Sequence, residues 1–131
     1  MRVLQNARML AFPSLYEGFG LPIIEAMNYD VPVACSNVAA LPEVAGDAAR
    51  MFDPRSVNEI TAALEEVFSD EALREQLIAA GRINARRFSW ERAARLTWQV
   101  YHYAAGAEVA EPLAAEQPSD MEEVTTPTTE G

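Results

Sequence analysis

Three short apolar runs alternate with helical segments in the first half of the chain, and this alternation constrains the fold most. The runs have the length of buried strands and cover residues 9–12, 31–35 and 48–52. Between them we predict a helix over residues 21–27, opened by Pro22, and one helical turn over residues 41–45, stopped by Gly46. Strands that alternate with helices favour a parallel α/β sheet.

From residue 57 onward the apolar positions follow the period of a helix. One predicted face comprises Val57, Ile60, Leu64, Val67 and Phe68. Ser56, followed three residues later by Glu59, predicts a capping box at the start of this helix.

Two more helices follow in the prediction. One covers residues 70–87, and the other is capped by Ser89. The last helix carries an apolar stripe: Trp90, Ala93, Ala94, Thr97 and Tyr101.

The predicted elements amount to about half of an ordinary doubly wound domain. About three parallel strands are visible, whereas such domains usually have about five or six. We therefore expect residues 1–105 to form a partial Rossmann-like domain with flanking helices.

Charge is distributed unevenly along the chain, and its acidic balance argues against nucleic acid as a partner. Residues 1–105 hold ten arginines against thirteen acids, whereas residues 106–131 hold seven acids and no basic residue. We predict that residues 106–131 form a disordered acidic tail, because they contain few large apolar side chains. An acidic chain is not expected to bind nucleic acid.

The remaining composition argues against several kinds of chemistry and against membrane insertion. The chain contains no lysine, so a lysine nucleophile or P-loop lysine is excluded. A single cysteine, Cys35, excludes an internal disulfide and a CxxC metal site, and we expect it to pack as a small apolar residue. No apolar run approaches the ~20 residues of a membrane span, and no leader is visible. We therefore expect a cytoplasmic protein.

The most informative stretch covers residues 14–27, where the first strand ends and a helix begins. Open α/β sheets bind ligands at such places. Gly18 and Gly20 allow the backbone to approach a ligand, and a first helical turn offers N–H groups to a phosphate. Two carboxylates, Glu17 and Glu25, flank the same turn. Because carboxylates repel phosphate but accept hydrogen bonds from hydroxyl groups, the combination indicates a nucleotide sugar.

Two other interpretations of this stretch are possible. An acid in a first helical turn is often only a partner of the helix dipole, and glycines before a helix are often only turn residues. A pair of carboxylates is also typical of glycoside hydrolysis. Hydrolysis fits poorly, since a general acid needs a raised pKa and a helix start favours the charged form.

The same residues resemble the retaining glycosyltransferases of family four, which have the GT-B fold. Glu17 and Glu25, separated by seven residues, match the family's paired glutamates. The resemblance extends in order and spacing through further blocks at residues 31–37, 41–49, 52–54 and 88–91. It covers residues 1–105 and implies the nucleotide-sugar-binding part of the C-terminal GT-B domain.

The resemblance assigns roles to individual residues. Glu17 matches the glutamate that faces the donor sugar hydroxyls and is the expected catalytic residue. Glu25 matches the glutamate that holds the ribose diol of the nucleotide. The backbone turn against the sugar and diphosphate comprises Gly18, Phe19, Gly20 and Leu21. Family members do not generally need a metal, so we expect no metal and no cofactor beyond the donor substrate.

The chain departs from the family pattern in three respects. An Arg and a Lys that help to hold the donor diphosphate belong to an earlier segment of the family's C-terminal domain, and an N-terminal domain binds the acceptor. Neither segment is found in these residues. Ala39 and Ala40 stand where the family often has two glycines or two serines. The last helix usually packs on the N-terminal domain, so we expect its apolar stripe to be exposed without that partner.

The sequence therefore predicts the donor-binding part of a retaining hexosyltransferase, with a lean toward mannosyl- and rhamnosyl-type enzymes. Transfer would need an N-terminal GT-B domain, supplied by the same polypeptide or by a separate chain. That domain could also bring the protein to the periphery of the inner membrane. The alternative is a non-catalytic remnant or docking module.

Overall fold

The computed structural model describes residues 2–106, and the side chains of residues 3–106. Its elements are α1 (Arg2–Gln5), β1 (Leu10–Phe12), α2 (Leu21–Asn28), β2 (Val33–Ser36), α3 (Leu41–Ala45), β3 (Ala49–Phe52), α4 (Val57–Ser69), α5 (Glu71–Ala85) and α6 (Trp90–Ala104). All except the short α1 are predicted by the sequence, with boundaries that shift by one or two residues. Apart from its first residue, Gly106, the predicted acidic tail lies outside the described residues.

The three strands form a parallel sheet in the order β1-β2-β3. Leu10 is paired with Val33, and Val33 is paired with Ala49. All four residues of the central strand β2 are buried, as expected for a strand covered on both faces. The prediction of a parallel α/β domain is therefore confirmed, and the carboxyl ends of all three strands lie at one edge.

Each face of the sheet has its own apolar core. On one face Val33 and Cys35 pack in a cluster with buried residues of α2, α3 and the end of α5. On the other face Ala34 clusters with Phe52 and with Val67 of α4. The alternation along β2 produces this division, because successive side chains of a strand point to opposite faces.

Cys35 is fully buried in the first cluster. Burial raises the pKa of its thiol to about 11, because a low-dielectric environment disfavours the thiolate. The residue is therefore a neutral, small apolar side chain, as the sequence predicts.

The start of α4 contains half of the predicted capping box. The Ser56 hydroxyl accepts a hydrogen bond from the Glu59 N–H at 3.3 Å. The Glu59 carboxylate accepts from the Asp53 N–H at 3.0 Å, whereas a capping box would have it accept from the N–H of Ser56. The Ser56 N–H instead donates to the Asp53 carbonyl oxygen, so the preceding turn takes the reciprocal bond.

The predicted apolar face of α4 is wrong at its two ends. The buried positions of this helix are Ala63 and Val67, but Val57 is 74% exposed and Phe68 is 54% exposed. Val57 is the first residue of the helix and extends past the packed region. Phe68 lies near the helix end, where the Arg8 guanidinium stacks over its ring at 4.8 Å.

The other predicted helix ends are confirmed with small shifts. Gly46 ends α3, and its N–H donates to the Pro42 carbonyl oxygen. Asp70 caps α5 by accepting from the Leu73 N–H at 3.0 Å. The Ser89 hydroxyl caps α6 by accepting from the Arg92 N–H at 3.0 Å.

Contacts divide the chain into two compact units, Met1–Phe88 and Ser89–Gly131. The first unit contains the sheet and helices α1 to α5. The described part of the second unit is α6, which has no fully buried residue. Its predicted apolar stripe is exposed, as expected, with Trp90 at 81% and Tyr101 at 65%. Within residues 2–106 no helix combines the length and hydropathy that a bilayer crossing requires.

The loop between β2 and α3 contains one strained residue. Ala39 has a φ of 53°, in the left-handed region that costs an L-residue about 1–2 kcal/mol. Its side chain is exposed, so no buried packing offsets this cost. Ala39 is therefore a local source of instability.

We predict that Ala39→Gly stabilises the chain by about 0.5–1 kcal/mol. Glycine relieves the left-handed strain, and the gain exceeds the entropy it adds to the unfolded chain. The free energy of unfolding is measured by urea titration followed by circular dichroism. The control is Ala62→Gly on the exposed side of α4, which is expected to destabilise by about 1 kcal/mol. A loss of stability of similar size in both variants would contradict the assignment of strain to Ala39.

Candidate functional site

The predicted site residues lie in the connection from β1 to α2 and in α2 itself. This connection follows the carboxyl end of β1, at the edge of the sheet where open α/β folds bind ligands. The Ser36 hydroxyl, at the carboxyl end of β2, donates to the Phe12 carbonyl oxygen at 3.3 Å. This bond joins the carboxyl ends of β1 and β2 where the connection to α2 begins.

Gly20 determines how the turn packs. Its φ is 99°, a conformation that L-residues rarely adopt. A Cβ atom on this residue would lie 2.6 Å from the Cδ2 atom of Leu41, which is the fully buried first residue of α3. The turn therefore lies directly against α3, and only glycine leaves room for this approach.

Phe19 anchors the turn from a second side. Its ring meets the Phe88 ring edge-on, with centroids 5.7 Å apart and planes at 88°, a favourable arrangement for aromatic pairs. Phe19 is nevertheless 44% exposed. Apart from its two chain neighbours, a Cβ atom on Gly18 would meet no described atom within 4 Å. The turn is thus fixed at Phe19 and Gly20 and open at Gly18.

The N–H groups of the turn are available to an anion. No side chain caps α2, Pro22 has no N–H, and the Ile23 N–H already donates to the Gly20 carbonyl oxygen at 3.0 Å. Among the described residues, no acceptor is found for the N–H groups of Gly18, Phe19, Gly20 and Leu21. From the sequence we predicted free N–H groups in the first turn of α2. In the structure three of the four N–H groups without an acceptor precede the helix.

Glu17 is held at the start of this turn. One of its carboxylate oxygens, Oε1, accepts a hydrogen bond from the Ser14 hydroxyl at 2.6 Å. Both side chains are half-buried. The bond fixes one carboxylate oxygen, and the second oxygen has no hydrogen-bond donor among the described residues.

Glu25 lies farther along than the sequence suggested. The first turn of α2 contains no acidic residue, since Glu25 is the fifth residue of the helix. A simple interaction with the helix dipole is confined to the first turn, so that interpretation is weakened for Glu25. Glu25 and Leu21 are both exposed and are four residues apart, which places them on one side of α2. Glu25 thus lies on the same exposed side of α2 as Leu21, the last residue of the turn.

Three residues near the turn were not assigned a role there from the sequence: Ser14, Leu41 and Phe88. Ser14 and Glu17 are close in the sequence, but serine hydroxyls also bond nearby backbone groups in several geometries, so their spacing alone does not reveal the bond. The contacts of Leu41 and Phe88 join distant segments, and a local pattern does not reveal them.

In residues 2–106 no cluster of three or more His, Cys, Asp or Glu side chains could hold a metal ion.

The parallel sheet, the helices on both its faces and the glycine turn at its carboxyl edge define a Rossmann-like α/β domain. A family model described as glycosyl transferases group 1 matches residues 1–84. The chain belongs to this family, and the family resemblance of the sequence is confirmed.

Curated relatives agree with this assignment. The O-antigen chain mannosyltransferase B of Escherichia coli is 48% identical over 95 residues, which cover 72% of this chain and 25% of the relative. The MMP alpha-(1->4)-mannosyltransferase of Mycolicibacterium hassiacum is 40% identical over 106 residues, covering 78% of this chain and 26% of the relative. A D-inositol 3-phosphate glycosyltransferase of Nocardioides is 36% identical over 100 residues, covering 75% of this chain and 22% of the relative. The chain therefore spans about a quarter of the length of these three proteins.

We predict that alanine lowers the stability of the chain strongly at Gly20 and hardly at all at Gly18. Gly20→Ala is expected to destabilise the chain by about 3 kcal/mol, because it adds left-handed strain and a clash with a buried side chain. Gly18→Ala is the matched control and should change stability by less than about 0.5 kcal/mol. Urea unfolding measures both variants. Equal stability of the two would show that the turn does not pack on Leu41 as described.

Proposed function

We propose that this chain supplies the donor-binding part of a glycosyltransferase that transfers a hexosyl residue from a nucleotide-diphosphate sugar to an acceptor, with retention of the anomeric configuration. Family membership supports glycosyl transfer. The donor class, the retaining outcome and the roles of individual residues are the finer parts of this proposal.

One observation carries the assignment of the donor site. Four consecutive N–H groups, those of Gly18, Phe19, Gly20 and Leu21, lack acceptors among the described residues and lie at a strand-to-helix turn. Such a turn suits an anionic group, because the N–H groups and the start of the helix both carry partial positive charge. We assign the donor diphosphate to this position.

The two glutamates account for the rest of the donor. Carboxylates accept hydrogen bonds and do not donate them when ionised, so they suit hydroxyl groups on either side of a diphosphate. Glu17, at the start of the turn, would accept from hydroxyl groups of the transferred sugar. Glu25, one helical turn beyond it, would accept from the ribose diol.

The charge of the diphosphate needs more than these N–H groups. Transfer breaks the bond between the anomeric carbon and a diphosphate oxygen, and negative charge develops on the leaving diphosphate. Partial charges of the turn stabilise part of it. We assign the rest to an arginine and a lysine outside this chain, as the resemblance implies, without a metal ion. The N-terminal domain that binds the acceptor would likewise lie outside these residues.

Mannose is the sugar that we propose. Two of the three relatives described above are named as mannosyltransferases, and the block at residues 41–49 leans the same way. The cytoplasmic location and a peripheral contact with the inner membrane stay predictions of the sequence.

A docking module without catalytic function is the second candidate. The exposed Trp90 and Tyr101 of α6 favour it, because large exposed apolar side chains often mark a binding surface. This candidate predicts no nucleotide affinity in the chain.

We predict that the 131-residue chain binds a nucleoside diphosphate and that Glu25→Gln weakens the affinity about tenfold. The substitution removes charge-assisted hydrogen bonds to the ribose, and a loss of about 1.4 kcal/mol corresponds to a factor of ten. Isothermal titration calorimetry with UDP, GDP and their sugars, including GDP-mannose, measures the affinities and selects the base.

The matched control is Glu65→Gln, which removes the same charge from an exposed position of α4 and should leave affinity unchanged. An equal loss in both variants would indicate a general charge effect. Absence of binding by a folded wild-type chain would contradict the proposal and favour the docking module.

A further inference from the structure

The hydrogen bond between Ser14 and Glu17 is short and charge-assisted. The Ser14 Oγ atom lies 2.6 Å from Glu17 Oε1, within the range of hydroxyl-to-carboxylate bonds. The hydroxyl donates, since an ionised carboxylate can only accept. This bond spans the loop that leads from β1 into the glycine turn.

Ser14 is well placed to hold another side chain. It lies two residues after the end of β1, and Pro13 before it has a restricted φ. The Ser14 side chain is half-buried. Because the serine side chain is short, the position of its hydroxyl is set mainly by the backbone that follows β1.

A glutamate in a loop otherwise has several rotamers available, and fixing it on ligand binding has an entropic cost. The bond from Ser14 to Oε1 selects one arrangement before any ligand arrives. It leaves the second oxygen, Oε2, as an acceptor without a donor among the described residues. Glu25 provides a contrast, because it is exposed and has no side-chain hydrogen bond or ion pair among the described residues.

We propose that Ser14 is a positioning residue that holds the Glu17 carboxylate for recognition of the donor sugar hydroxyls. This inference rests on the proposed function, because it requires that Glu17 faces the sugar. It assigns to Ser14 an effect on the sugar part of the donor and none on the nucleotide part.

The test compares two ligands on the full 131-residue chain by isothermal titration calorimetry. One is the nucleoside diphosphate, and the other is the same diphosphate with its sugar. Ser14→Ala is expected to weaken binding of the nucleotide sugar fivefold or more, while affinity for the diphosphate changes less than twofold. Ser14→Thr keeps the hydroxyl and is expected to restore sugar affinity to within threefold of wild type.

A double-mutant cycle identifies the group through which Ser14 acts. In a Glu17→Ala background, which removes the acceptor of the Ser14 bond, Ser14→Ala should cause less than a twofold further loss for the nucleotide sugar. Ser69→Ala is the matched control, since Ser69 is exposed on α4 and its hydroxyl donates to the carbonyl oxygen of Glu65. It should alter neither affinity.

The outcomes separate this inference from the proposed function. Equal losses for both ligands, or no loss for either, would overturn the positioning role while the donor site stands. No binding of either ligand by the wild-type chain would overturn both. If Ser14→Ala does not fold, Ser14→Cys keeps a side chain of similar size with a weaker donor, and the same comparison of ligands decides.

Discussion

The contact between Gly20 and Leu41 is the constraint on which the candidate site depends. A left-handed glycine allows the turn to reach the buried first residue of α3. A side chain at this position would require either the turn or the buried Leu41 side chain to shift. The ring contact of Phe19 with Phe88 and the bond of Ser14 to Glu17 hold the same connection at two further points. Helix α2 follows directly and carries Glu25 in its second turn.

The site combines a rigid backbone with two carboxylates that differ in freedom. Glu17 is tied to Ser14, whereas Glu25 is exposed on the helix. The N–H groups between them carry only partial charges, so this arrangement offers more to hydroxyl groups than to the full charge of a diphosphate. Under the proposed function, the charge of a bound diphosphate would therefore need cations from outside these residues. The chain spans about a quarter of several curated relatives, which agrees with a partial role.

Much of the fold could be predicted from the sequence, because its signals are local. The strands are short apolar runs, and Ser56, Asp70 and Ser89 cap their helices through their own side chains. Helix α1 was not predicted, since its four residues carry neither a cap nor an apolar period. The exposed Val57 and Phe68 fit the period of α4 but lie at its two ends. Periodicity gives the direction of a face and not the extent of the surface that covers it.

The roles of the candidate site residues stay predictions of the sequence, and the contacts of these residues could not be derived from it. The glycines and glutamates were identified from their spacing, although Glu25 lies in the second turn of α2 and not in the first. The contacts of Gly20 with Leu41 and of Phe19 with Phe88 join segments more than 20 residues apart. They depend on how the helices pack on the sheet. The bond of Ser14 to Glu17 is local but competes with many other serine geometries, so spacing alone does not select it.

The most direct test of the central claim is to map the ligand on the chain by amide NMR. A ¹⁵N-labelled sample of the full chain is titrated with the nucleotide sugar that binds best. We expect the largest shifts on the N–H groups of Gly18, Phe19, Gly20 and Leu21, because the proposed site places the diphosphate against these groups. Shifts concentrated on another part of the chain, with these four amides unchanged at saturation, would contradict the assignment of the donor site.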